Sequence, residues 1–170
     1  MRQSTTSSAQ DWMALERQRE ARWYSDRVRI EPDPHARLAA LRSDILRQVV
    51  SEVRAKGRAP RVCRYALSAG DHLPSNSLEA AAAFAVRNSW QVGGGGQIFT
   101  DPQGSPDPGL RMGWCHVRQQ VRAGFVDGVV VTNTSVISSI AEEYERELRW
   151  FELHHAFVAV VAPTARPGRL

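Results

Sequence analysis

Two short apolar runs in the last third of the chain constrain the fold most. Residues 125–131 read FVDGVVV and residues 157–162 read FVAVVA. Apolar runs without polar alternation are typical of strands that are buried on both faces. The segment between them, 136–153, has the length of a helix, and strands joined by a helical crossover pair in parallel. The two runs therefore predict an α/β fold with a parallel sheet.

The rest of the chain from residue 61 onward repeats this alternation. We predict strands over 62–67, 90–100 (interrupted by Gly93 to Gly96), 126–132 and 156–162, and helices over 78–87, 108–123 and 136–153. Three pairs predict the helix starts: Asn76 with Glu79, Asp107 with Pro108, and Ser139 with Glu142. Gly124 is placed to end the second helix. The predicted fold class is α/β: a four-stranded, mostly parallel, doubly wound sheet with helices on both faces.

A helical extension precedes this domain. Five apolar residues recur at helical spacing after the proline-containing EPDPHA segment, namely Leu38, Leu41, Ile45, Val49 and Val53. Gly57 is a suitable residue to end this helix. We expect the stripe to pack on the domain or on a second copy, and the alternative is an arm that contacts DNA. The predicted organisation is an N-terminal extension over 1–57 with disordered first residues, a domain over 58–163 and a tail over 164–170.

Positive charge is concentrated in the N-terminal third. The chain carries a net charge of +4, and residues 1–60 hold 12 Lys or Arg against 8 Asp or Glu, whereas residues 61–170 hold 10 of each. Lys56 is the only lysine, so an arginine- and alanine-rich bacterial codon bias explains part of the basicity. Contacts with DNA phosphates are therefore expected in the first third. The candidates are Arg37, Arg42, Arg47, Arg54, Lys56 and Arg58.

Several classes of protein are excluded or disfavoured. No run is long enough to span a membrane and the N-terminus lacks an apolar signal core, so we expect a cytoplasmic protein with no membrane contact. No glycine-rich nucleotide motif follows a strand. Cys115 with His116, and His154 with His155, are adjacent pairs without a spaced partner set, so no metal and no cofactor are expected.

The order of several segments resembles a known family. RYALSAGD, SLEAAAAFAVRNSWQV, IFTDPQGS and RMGWCHVRQQVRAGFVDGVVVT follow one another as in the catalytic domain of resolvase/invertase-type serine recombinases. The resemblance covers about residues 61–163 and implies a resolvase-like fold. It also implies a serine nucleophile that attacks a DNA phosphodiester among several arginines, without a metal.

The residues that the resemblance assigns to this chemistry are incomplete here. Ser68 matches the nucleophile and Arg111 matches an active-site arginine. In that register Ala66 occupies an arginine position; if Tyr65 and Ala66 are aligned instead, the nucleophile position is Ala69. The family's Asp-Arg-x-x-Arg signature falls on Thr134, Ser135 and Ser138. Arg64 is a nearby arginine, but the sequence does not determine where it points.

This pattern predicts a degenerate active site. Loss of one preorganised donor costs about 10² to 10³ in rate, and here several are missing together. We therefore expect a noncatalytic, recombinase-like protein that acts as a DNA-associated or protein-interaction regulatory module, with DNA, a second copy or a partner recombinase as its partner. The alternative is a divergent, active serine recombinase that cleaves and rejoins DNA through Ser68.

Overall fold

The computed structural model describes residues 15–19, 33–93, 97–105 and 107–162. The chain divides into two compact units, residues 1–32 and 33–170. Residues 15–19 of the first unit are helical. The elements of the second unit are α1 (Pro34–Ala55), β1 (Arg61–Ser68), α2 (Ser75–Arg87), β2 (Gln91–Val92), β3 (Ile98–Pro102), α3 (Met112–Arg122), β4 (Gly128–Val131), α4 (Ala141–Leu153) and β5 (Phe157–Val160). Short 3₁₀ helices at Pro108–Leu110 and Thr134–Val136 precede α3 and α4.

The strands form one parallel sheet. β1 pairs with β4, and β4 pairs with β5. On its other side, β1 pairs with β2 at its beginning and with β3 along its second half. The predicted second strand is therefore two short strands, which gives five strands where the sequence predicted four. The parallel α/β architecture is confirmed, and residues 94–96 of the glycine run lie outside the described residues.

Both faces of the sheet are covered. The strand register places Val62, Gly128 and Phe157 on one face. On that face the Phe157 ring lies 5.0 Å from Trp90, whose ring lies 5.8 Å from Phe84 of α2. On the opposite face the ring centroids of Tyr65 and Trp114 of α3 are 4.9 Å apart, and those of Trp114 and Phe151 of α4 are 5.7 Å apart. The doubly wound arrangement is confirmed.

Helix α1 contributes to the same core. Its buried side chains include four of the five predicted stripe residues, and Leu41 is half-buried. The helix packs against β5 and α4. Arg37 makes a bidentate ion pair with Glu145 on α4, with bonds of 2.6 and 2.8 Å. Gly57 has φ +77°, the left-handed conformation that suits a glycine at a helix end.

The helix starts differ from prediction in two places. Ser138, rather than Ser139, caps the approach to α4: its hydroxyl donates to Glu143 Oε2 at 2.6 Å and accepts from the Ile140 amide at 3.0 Å. Helix α2 begins at Ser75 after Pro74 with no side-chain cap, so the predicted role of Asn76 is wrong. Asp107 caps as predicted, but it caps the 3₁₀ helix before α3. No helix in the described ranges is long and apolar enough to cross a membrane.

Candidate functional site

Ser68 is the last residue of β1, at the carboxyl edge of the sheet where a doubly wound fold holds its functional loops. Its side chain is half-buried, and Oγ donates to the backbone carbonyl of Asp101 at 3.3 Å. Its own carbonyl accepts from the Gln103 amide at 2.8 Å. Both contacts come from the end of β3 and the turn after it. The serine is therefore held by the neighbouring strand end.

Asp101 lies beside Ser68 and is 6% exposed. Its Oδ1 accepts from the Gly113 amide at 2.8 Å, and its Oδ2 accepts from the Trp114 amide at 2.9 Å and from the Tyr65 hydroxyl at 2.8 Å. The two amides belong to the first turn of α3, where backbone N–H groups lack partners within the helix. The Asp101 carboxylate, which belongs to β3, therefore caps the N-terminus of α3 and lies at the positive end of the helix dipole.

Gly113 makes this close approach possible. A Cβ at this position would lie 2.4 Å from the Thr100 carbonyl oxygen and 2.7 Å from Asp101 Oδ2. Any side chain would push α3 away from β3. The glycine is thus needed for its small size and not for an unusual backbone conformation.

Arg111 lies just before α3 and is 8% exposed. Its guanidinium donates to the Val136 carbonyl at 2.8 Å, which joins the loops that follow β3 and β4. It is also a hydrogen-bonding neighbour of the Tyr65 hydroxyl. Burial raises the pKa of Tyr65 well above its usual value, although the Arg111 contact opposes this rise. Ser68, Asp101, Tyr65 and Arg111 therefore form one continuous set of contacts.

The remaining positions implied by the resemblance hold side chains with local roles. Ala66 is buried within β1. Thr134 and Ser135 lie in the 3₁₀ helix after β4, where the Ser135 hydroxyl contacts Asn133. Ser138 is buried and is used in the cap of α4. None of these four residues carries a charge that would stabilise a phosphoryl transition state.

The predicted DNA-binding residues are distributed along α1 and the segment after it. From Arg37 to Lys56 a helix rises roughly 28 Å. Their contacts are as follows: Arg37 with Glu145, Arg42 with the Tyr144 hydroxyl at 3.2 Å, Arg47 with Asp44, Arg54 with the Asn88 carbonyl at 3.4 Å, and Arg58 with both carboxylate oxygens of Asp127 at 2.6 and 2.7 Å. Lys56 is exposed at the end of α1. These six residues do not converge on one point.

Sequence reasoning missed two members of the site. The sequence predicts Tyr65 only as part of a strand. A buried tyrosine hydroxyl usually has a hydrogen-bond partner, and this would have indicated a polar residue nearby. From the sequence, Asp101 is only one residue of the IFTDPQGS segment that carries the family resemblance. Among the residues that the structure describes, no three His, Cys, Asp or Glu side chains are grouped as metal ligands. His154 instead stacks on Trp150, with ring centroids 4.0 Å apart.

Comparison with solved structures agrees with the fold. No family model matches the chain, and no curated protein matches it. The chain is similar to the C-terminal catalytic domain of ISC1926 TnpA, an IS607-like serine recombinase, with a TM-score of 0.50 and 22% identity over 61% of this chain and 72% of that one. It is also similar to the N-terminal catalytic domain of TP901-1 integrase, with a TM-score of 0.51 and 15% identity over 59% and 76%. The chain has the fold of serine recombinase catalytic domains.

Proposed function

We propose that this chain, with its serine recombinase catalytic-domain fold, is a noncatalytic regulatory module that associates with DNA or with another protein. The observation that carries the proposal is the use of the polar groups around Ser68. Asp101 accepts three hydrogen bonds, two from the first turn of α3 and one from Tyr65. Arg111 donates to the Val136 carbonyl. The charged groups nearest to Ser68 therefore make hydrogen bonds that stabilise the fold.

The chemistry of the missing side chains supports the same proposal. A serine hydroxyl that attacks a phosphodiester needs its proton removed and the charge on the phosphorus oxygens stabilised. Ala66, Thr134, Ser135 and Ser138 provide no positive charge. Each absent donor costs about 10² to 10³ in rate, so the combined loss removes useful turnover.

A divergent, active recombinase is the second candidate. It is favoured by one feature, the position of Ser68 at the carboxyl end of β1 in contact with the network that contains Arg111. In that reading Ser68 forms a covalent bond to a DNA phosphate and Arg111 stabilises the developing charge. Arg64, on the same strand as Ser68, has a buried Nε without a hydrogen-bond partner among the described residues.

The experiment is to incubate the full chain with end-labelled linear DNA and with supercoiled plasmid, and to look for label transferred to protein and for nicked circles. We expect neither product. The matched variant is Ser68→Ala, because any background cleavage by a contaminant will persist in it. A protein–DNA adduct that forms with the unmodified chain and disappears in Ser68→Ala would establish the second candidate and overturn the first.

The proposed partners are DNA, a second copy of this chain or a partner recombinase, and the proposed location is the cytoplasm. Contact with DNA through Arg37, Arg42, Arg47, Arg54, Lys56 and Arg58 was the expectation from charge, and it remains part of the proposal. Fluorescence anisotropy of labelled duplex DNA over a salt series tests it, because phosphate contacts make the affinity fall steeply with salt. Light scattering of the purified chain tests self-association.

A further inference from the structure

The two edges of the sheet differ in charge. All strands are parallel, so each begins at one edge, here called the amino edge, and the helices that connect them end there. The carboxyl edge is the opposite one and holds Ser68. Along β1 the two edges are roughly 23 Å apart.

The amino edge is basic. Helices α1, α2 and α3 each end with an exposed arginine: Arg54, Arg87 and Arg122, and Lys56 follows α1. Two contacts bring these helix ends together: Arg54 donates to the Asn88 carbonyl after α2 at 3.4 Å, and Arg61 donates to the Gly124 carbonyl after α3 at 2.8 Å. The four side chains therefore belong to one edge of the domain.

Two carboxylates at the amino edge are paired with other arginines: Asp127 pairs with Arg58, and Glu152 pairs with Arg149. Glu52 accepts a hydrogen bond from the neutral side-chain amide of Gln48 at 3.1 Å. The four positive charges of Arg54, Lys56, Arg87 and Arg122 outnumber this carboxylate and leave the edge net positive.

The carboxyl edge has the opposite sign. The loops and the first two helical turns at this edge hold a set of acidic residues: Asp71, Glu79, Asp107, Glu142 and Glu143. Arg146 is one cation of this edge, and it lies 3.5 Å from Asp107. An approaching polyanion is repelled by this edge and attracted by the other.

Trp150 restrains part of the basic edge. The guanidinium carbons of Arg118 and Arg122 lie 4.4 and 5.6 Å from the centre of the Trp150 ring. Cation–π contacts at such distances hold an arginine while leaving its N–H groups available to an anion. Arg118 is further held by Glu147 at 3.7 Å. Arg122 is thus positioned before any ligand arrives, which lowers the entropy lost on binding.

We propose that the amino edge, through Arg54, Lys56, Arg87 and Arg122, binds the phosphate backbone of duplex DNA. The inference rests on the proposed association with DNA and specifies where it occurs. It extends the proposed contact from the end of α1, at Arg54 and Lys56, to the ends of α2 and α3. DNA held there lies at the edge remote from Ser68, so binding does not present a phosphodiester to the serine.

The test compares two variants of the full chain that lose the same charge. Arg87→Gln removes one charge from the amino edge, and Arg146→Gln removes one exposed charge away from it. Binding of fluorescein-labelled duplex DNA is measured by anisotropy over a salt series. Each lost phosphate contact lowers the slope of log affinity against log salt by about 0.9, so Arg87→Gln should lose about that much slope and Arg146→Gln almost none.

The outcomes separate the two proposals. If the unmodified chain does not bind DNA, the proposed association with DNA fails, and the location of the surface fails with it. If the chain binds DNA but Arg146→Gln reduces the slope as much as Arg87→Gln, the association stands and the location is wrong. Circular dichroism of both variants confirms that the helices are retained.

Discussion

Asp101 Oδ1 accepts a hydrogen bond from the backbone amide of Gly113 at 2.8 Å, so a residue at the end of β3 caps a helix that begins beyond the next loop. This buried carboxylate beside Ser68 is part of the support of α3. This contact links strand, loop and helix at the edge that holds Ser68. Its loss should affect stability before it affects any chemistry.

We predict that Asp101→Ala destabilises the domain by about 3 kcal/mol, because it removes a buried acceptor from two helix amides and from the Tyr65 hydroxyl. Asp101→Asn keeps one acceptor oxygen and should cost less. Urea unfolding followed by circular dichroism measures both. Asp107→Ala is the control, since Asp107 caps only a short 3₁₀ helix. An equal loss for Asp107→Ala would contradict the assigned role of Asp101.

Gly113→Ala should also destabilise the domain, by about 2 kcal/mol. Alanine is normally favoured over glycine within a helix by about 1 kcal/mol. Here the added methyl meets the Thr100 carbonyl oxygen at 2.4 Å, and overpacking outweighs that gain. Gly109→Ala is the comparison, because its methyl would meet only Asp107 Oδ1, at 3.3 Å. A more stable Gly113→Ala protein in thermal unfolding would show that α3 can shift without cost.

The Arg58–Asp127 pair predicts a dependence of stability on pH. Burial alone would raise the pKa of Asp127, but the hydrogen bonds from Arg58 and the Arg61 amide outweigh it and lower the pKa below its usual value. A lowered pKa in the folded state contributes stability above the unfolded value of roughly pH 4, and this contribution is lost as the pH falls further.

Arg58→Gln should therefore cost about 1 to 2 kcal/mol at neutral pH, because Asp127 stays buried without its bidentate partner. The difference from the unmodified protein should shrink as the pH falls below roughly 4 and through the lowered pKa of Asp127, because protonation of the carboxyl removes the ion pair. Denaturant unfolding across acidic pH measures it. Arg47→Gln, whose pair with Asp44 is exposed, should have little effect at any pH. A constant difference down to the lowest pH would argue against the pair.

Ser68→Ala should leave the stability nearly unchanged, within about 1 kcal/mol, because its hydroxyl makes one 3.3 Å bond to a backbone carbonyl. This makes it a sound control for the cleavage experiment. Ser138→Ala should cost more, about 1 to 2 kcal/mol, since that buried hydroxyl bonds both Glu143 and the Ile140 amide. Thermal unfolding of the two serine variants side by side checks the order, and the reverse order would refute it.

Much of the fold was predictable from local pattern. The runs at FVDGVVV and FVAVVA became β4 and β5, and the stripe from Leu38 to Val53 became the buried face of α1. The split of the second strand was only partly predictable, since the glycine run marked an interruption without showing that both pieces pair with β1. The placement of Ser138, one residue from the predicted cap, shows the limit of motif spacing at a helix start.

The sequence by itself determined the order of strands and helices and the parallel sheet. Apolar runs and helical spacing are patterns of residues close together in the chain, so they can be recognised without the tertiary structure. Only the tertiary structure decided how the polar groups are used. The partner of Asp101 in β1 is Tyr65, and the partner of Arg58 is Asp127, near the start of β4. A hydrogen bond requires a donor–acceptor distance of about 2.7 to 3.2 Å, and between residues far apart in the chain that distance is set only after the sheet has formed.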